Sequence, residues 1–184
     1  MADRLVRTAR RVGTPEEALG LVERGHALAM GPRLQRLEDD HDPDFLHPGR
    51  TALVLLLDVE EARPEVLAAA LCVESERAEL RVSVAGVAEV LGEAVAEMVA
   101  GVPLPDAEDL AELLVTADDD VRRIALAERL DHLRHAHLWN DPVRRRKAHA
   151  GAESVYLPVA ERTHPTLARR YRWWCGMFGR RYLD

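Results

Sequence analysis

The chain has a single lysine, Lys147, so arginine carries nearly all of its positive charge. It has only two cysteines, Cys72 and Cys175. Two are too few for a disulfide framework, and a reducing compartment is the simple expectation. Aromatic residues make up 4% of the chain, which leaves Ala, Leu and Val to fill the core. No apolar run approaches the length of a membrane span. Met1 to Val12 is basic but lacks the apolar stretch of a signal peptide. These absences lead to the expectation of a cytoplasmic protein with no membrane partner. Excess positive charge is missing too: the net charge of -7 argues against a nucleic-acid partner.

What is abundant is Ala, Leu, Glu and Arg, a mixture that favours helix over strand. Thr14-Pro15-Glu16-Glu17 has the form of a capping box with proline at the first helical position, and predicts a helix to about Met30 that Gly31-Pro32 ends. A polar loop from Gly31 to Phe45 follows. Helices are predicted from Pro48 to Glu60 and from Pro64 through Val73, the second apolar on nearly every side and therefore central. Ser83 caps a short helix to Leu91, Gly92 breaks it, and Glu93 to Ala100 forms the next. Asp106 to Val115 reads as helical. Asn140-Asp141-Pro142 opens a long helix to about Arg162. After a break at Thr163-His164-Pro165, a final helix over 165–179 packs on the rest. Only Leu80 to Val84 alternates with period two. The expectation is a single all-α domain over residues 1–184, a bundle of about eight or nine helices.

The stretch from Ala117 to Leu138 is the most informative. Aspartates crowd its start, where the helix dipole favours them. At about 100° per residue, Leu126, Leu130 and Leu133 share one face. Val121, Ile124, Glu128, His132 and His135 share the other. An apolar stripe that runs on into a carboxylate and two imidazoles marks either a buried hydrogen-bonded network or a site. Elsewhere, Asp39, Asp40, His41, Asp42 and Asp44 read as a solvated acidic loop or a cation site. Arg144, Arg145, Arg146 and Lys147 form a basic turn. Arg169, Arg170, Arg172, Arg180 and Arg181 surround Tyr171, Trp173 and Trp174, either as a functional basic patch or as a pinned terminal helix.

The order of these features resembles the HD-domain (p)ppGpp hydrolases, meaning the hydrolase domains of Rel/SpoT alarmone proteins and the small alarmone hydrolases. The resemblance covers roughly residues 15 to 162. Glu17-Ala18 through His26-Ala27 is similar to the family's first helix, and Leu46-His47-Pro48 to its Ile-His-Pro. Leu71-Cys72-Val73 stands where the family has Leu-His-Asp. Asp120-Val121-Arg122, then Leu126-Ala127-Glu128-Arg129-Leu130-Asp131-His132-Leu133-Arg134, resembles its Asp-Val-Arg and Leu-Ala-Asp-Arg-Leu-His-Asn-Met-Arg. Tyr156-Leu157-Pro158 is similar to its Tyr-Ala-Pro. The resemblance implies an HD-domain fold. It also implies release of a 3′-pyrophosphate by water on a divalent metal, usually manganese.

The departures qualify that implication. His47 keeps the family's first ligand, Cys72 and Val73 replace its His-Asp pair, and Glu128 replaces its last Asp. Glu76 matches the family's catalytic Glu, but Arg77 stands at the Asp that follows it. The expectation is therefore an impaired enzyme with no bound metal, acting as a nucleotide-binding or protein-interaction module. Its cleft would be lined by His47, Glu128, Asp131, His132 and His135, and its ligand would be a guanine nucleotide or another phosphorylated small molecule. A homo-oligomer is compatible with this. The alternative is an active phosphohydrolase holding manganese or zinc on His47, Glu128, His132 and His135. A purely structural partner-binding domain is the third reading.

Overall fold

The computed structural model describes residues 1–38 and 40–183. Asp39 of the acidic loop lies outside the described residues. The chain is all-helical: α1 Ala2–Val12, α2 Leu19–Arg36, α3 His47–Val54, α4 Pro64–Cys72, α5 Val84–Leu91, α6 Glu93–Gly101, α7 Leu110–Thr116, α8 Asp119–His135, α9 Pro142–Gly151, α10 Leu157–Thr163 and α11 Pro165–Tyr182. A widened π turn over Leu55–Val59 continues α3, and another over Ala152–Tyr156 joins α9 to α10. With these joined, ten helical rods stand among the described residues. The rod beyond the expected count is α1, whose Leu5 and Ala9 are buried against the body. Gly13 ends it in the left-handed region at φ 116°, a conformation that costs glycine least.

Two expectations at the start of the chain fail. Thr14 does not cap a helix; its hydroxyl donates to the Ala62 carbonyl at 2.8 Å, and a short 3₁₀ turn over Glu16–Ala18 leads into α2 instead. Nor does Gly31-Pro32 end α2, which runs on to Arg36 with Pro32 inside it. Proline there forfeits one backbone bond. The following residue offsets that loss: Arg33 is buried and donates to the Ala29 carbonyl, the Asp44 carbonyl and the Glu74 carboxylate. Leu80 to Val84 is no strand: Leu80 ends a 3₁₀ turn, 81–83 lie in neither helix nor strand, and Val84 begins α5.

The other helix signals act locally as their chemistry requires. Ser83 accepts from the Gly86 amide, Asp141 from the Val143 and Arg144 amides, and His164 from the Thr166 amide. Gly92, at φ 97°, turns the chain between α5 and α6.

α4 and α8 form the centre. α4 packs on α2, α3, α6 and α8, and every residue from Val66 to Cys72 is buried. α8 also meets α3, α6, α10 and α11, and both its leucine face and its polar face are covered. The aromatic residues of α11 pin it down. Tyr171 donates to the Leu126 carbonyl at 2.7 Å, and Trp174 stacks on Phe178. Arg170 binds Asp58, and Arg172 binds Glu161. Trp173 stays exposed.

Candidate functional site

α8 positions three polar side chains within little more than one turn: Glu128, Asp131 and His132. α3 faces them with its first residue, His47. Pro48 suits the first turn of α3 and fixes where the histidine stands. The loop after α4 adds Glu74, and the acidic loop adds Asp44.

His47 lies at the middle. Its Nδ1–H donates to Asp131 Oδ2 at 2.8 Å, and its Nε2 faces Glu128 Oε1 at 3.7 Å. Its ring stacks on His132 with centroids 4.0 Å apart. His132 mirrors the arrangement. Its Nδ1 faces Asp44 Oδ1 at 3.7 Å, while its Nε2 lies 3.1 Å from Glu128 Oε1 and 3.4 Å from Glu74 Oε1. Each imidazole therefore turns Nδ1 to an outer carboxylate and Nε2 toward Glu128, and His47 Nε2 also lies 3.5 Å from the Thr51 hydroxyl. Around the centre, exposure is 0% at His47, 4% at Glu74, 2% at Glu128 and 5% at His132.

The electrostatics follow from burial working against pairing. Burial alone would raise the Glu128 carboxyl, but His132 beside it outweighs that and holds it at about 2. Glu74 is held at about 2 in the same way, by His132, His47 and Arg33 against its burial. Burial would lower His132, yet Glu128 and Glu74 hold it at about 10. Asp131 is pulled far down against its burial by His47 and Arg50, whose Nε reaches it at 2.9 Å.

The residues expected in one cleft divide into groups. His47, Glu128 and His132 converge, with Asp131 behind His47. His135 does not join them: its Nδ1–H donates to the Asp131 carbonyl at 2.9 Å, one turn further along. Cys72 faces α2, with Sγ 3.9 Å from the Gly25 carbonyl, and burial pushes its thiol up to about 12. Glu74 was missed. It follows the Cys72-Val73 pair directly, and its carboxylate brings an acid to the centre that those two residues lack. The only signal for it was an acidic side chain one position past the motif.

Glu76 sits elsewhere, clamped by Arg129 and by Arg144 at 2.9 Å. Against its burial, Arg129 lowers its carboxyl, so it stays ionised and occupied. It borders an open cleft of about 730 Å³ between the 75–81 loop, the 104–108 loop, α8 and α9. Arg81, Arg129, Arg144 and Lys147 line this cleft, as do Trp139 and Tyr156. Arg144 lies over the Trp139 ring at 4.0 Å. Two buried polar atoms on cleft residues have no hydrogen-bond partner, Ser75 Oγ and Arg129 Nε. In the acidic loop, Asp42 and Asp44 bind Arg77, and Asp40 pairs with His41 at the surface.

The donors at the centre, two imidazole nitrogens and two carboxylates, suit a divalent transition metal. The Nε2 of His132 is buried and makes no hydrogen bond despite its two carboxylate neighbours, as an unsatisfied ligand atom would. The manganese centre implied by the resemblance also needs room for water and substrate, and this burial leaves none. Among the described residues, no helix is long and apolar enough to cross a membrane. No protein-family model matches the chain, and no curated protein matches it.

Proposed function

We propose that the chain is a non-hydrolytic binding module for a phosphorylated small molecule of nucleotide size, built on a divergent HD-type scaffold. One observation carries this reading. The open cleft beside the His/Glu centre is walled by Arg81, Arg129, Arg144 and Lys147, and two of its buried polar atoms lack partners. A volume of about 730 Å³ falls in the range of small-molecule sites. Arginine forks suit phosphate oxygens, and Ser75 Oγ adds a neutral donor. Trp139 and Tyr156 give apolar wall to the rest of a nucleotide. Hydrolysis would need substrate to reach the His/Glu centre, and the burial of His47, Glu74, Glu128 and His132 argues against that.

The test is calorimetry and thermal denaturation with GDP, inorganic pyrophosphate and guanosine. GDP and pyrophosphate are expected to bind and raise the melting temperature, and guanosine to do neither. Arg144→Glu with Lys147→Glu should weaken GDP by roughly tenfold or more, as loss of charge-assisted hydrogen bonds requires. Guanosine binding as well as GDP, or no binding by any of the three, would sink the reading.

A further inference from the structure

We infer that His47, Glu74, Glu128 and His132 form a closed four-ligand site for a divalent metal, zinc by its donor set, that ties α3, the 74–77 loop and α8 together. This does not depend on what the cleft binds.

The geometry is the first support. Four ligands about 2.0–2.2 Å from a tetrahedral ion stand roughly 3.3 Å from one another. The His132 Nε2 contacts to Glu128 and Glu74, at 3.1 and 3.4 Å, already match that, and His47 Nε2 is 3.7 Å from Glu128. Ligand atoms of His47, Glu74 and His132 all lie within 4.8 Å of one another. Glu128 falls outside that group of three, so its carboxylate must shift to complete a set of four.

Charge is the second support. Glu74 is neutralised by Arg33 at 2.6 Å and Asp131 by Arg50 at 2.9 Å. Glu128, buried with them, touches no arginine or lysine among the described residues; its ionic contacts are the two imidazoles. A proton on His132 is the competing explanation. It leaves the Nε2–H between two carboxylates with no hydrogen bond to either, against a stacked imidazole neighbour. A cation beside His132 would take up the one unused Nε2 lone pair of the cluster, between Glu128 and Glu74.

The outer contacts are the third support. A metal-bound histidine usually donates its other N–H to a carboxylate, which fixes the tautomer and turns the ring. His47 does this to Asp131, while His132 Nδ1 stands 3.7 Å from Asp44, beyond hydrogen-bond distance. The Ser75 amide orients Glu128 from 2.9 Å, and the Glu76 and Arg77 amides orient Glu74 from 3.1 and 3.0 Å. With no exposed position left, the ion holds structure rather than turning over substrate.

The experiment starts from chelator-treated full-length protein, titrated with zinc and with manganese by calorimetry, with thermal denaturation alongside. One zinc per chain is expected, with a higher melting temperature and with manganese weaker, as the order of divalent affinities requires. Asp131→Asn should weaken zinc about 10–100-fold, and Glu74→Gln by more. His135→Gln should leave zinc affinity unchanged. Cobalt in the wild-type protein should show the intense visible bands of a tetrahedral ion. That measurement decides the matter if Glu74→Gln fails to fold. No zinc uptake, a preference for manganese, zinc affinity untouched by Glu74→Gln, or a weak octahedral cobalt spectrum would each overturn the assignment.

Discussion

Arg33→Met should be among the most destabilising single changes in this chain. The guanidinium is 1% exposed and lies 2.6 Å from a Glu74 carboxylate that is itself 1% exposed at the side chain. It also donates to the Ala29, Asp44 and Leu80 carbonyls at 3.0, 2.9 and 3.5 Å. Methionine fills much of the volume, so the lost term is electrostatic rather than a cavity. Breaking a buried pair from one side costs about 3–5 kcal/mol, because the partner charge stays behind unpaired. At about 2–4 °C per kcal/mol for a chain of this size, the melting temperature should fall by roughly 6–20 °C. A control fixes the interpretation. Arg10 and Glu16 are also 2.6 Å apart, but 51% and 68% exposed, and Arg10→Met should leave urea denaturation unchanged within error. In chelator-treated protein, the double variant Arg33→Met with Glu74→Gln should recover part of the loss, since no lone charge then remains. Equal effects of the two single changes would refute the argument that burial, not bond length, sets the worth of the pair.

Two further outcomes follow from burial elsewhere. Burial pushes Tyr156 up to about 12 and Tyr171 well above its usual value, so ultraviolet titration of the native protein should show both ionising well after free tyrosine. Their folded values lie above the unfolded value near 10, so their contribution to stability is whole below about 10 and is lost as pH rises through about 12. Ionisation of all three tyrosines together near pH 10 in the folded state would contradict it. Cys72 should resist thiol reagents until denaturant is added, because it is 3% exposed on the central helix. Fast native labelling mapped to Cys72 would count against that placement.

Much of this architecture is legible in the chain because its signals are local. Pro48, Pro64, Ser83, Gly92, Asp141 and Pro165 each act within one turn, and the element order follows from them. Where tertiary bonds override local preference, the reading fails: α2 passes through Pro32 because Arg33 is anchored outside the helix to Asp44, Glu74 and Leu80. The α1 helix is hard to read in the chain because its basic residues surround the two buried positions, Leu5 and Ala9. The site divides along the same line. Glu128 and His132 share a face at i, i+4 and can be paired from sequence. His135 shares the angle but not the height, lying about 10 Å along the axis from Glu128. Angular arithmetic alone cannot tell the two apart. Glu74 projects from a loop, where no periodicity reports direction.

Glu74 is also where the buried centre and the open cleft meet. One carboxylate oxygen faces Arg33. The other accepts from the Glu76 and Arg77 amides and lies 3.4 Å from His132 Nε2. Those bonds fold the 74–77 loop into a tight turn. Ser75 then stands with its amide on Glu128 and its hydroxyl unpartnered at the cleft wall. Glu76 comes next, held out toward Arg129 and Arg144. The closed centre and the cationic cleft therefore meet at adjacent residues, Glu74 and Ser75, and the same loop sets the geometry of both. Loss of the Glu74 charge would relax the turn as well as unpair Arg33, and the cleft wall would move with it. The sealed centre touches the cleft through this loop alone among the contacts of Glu74.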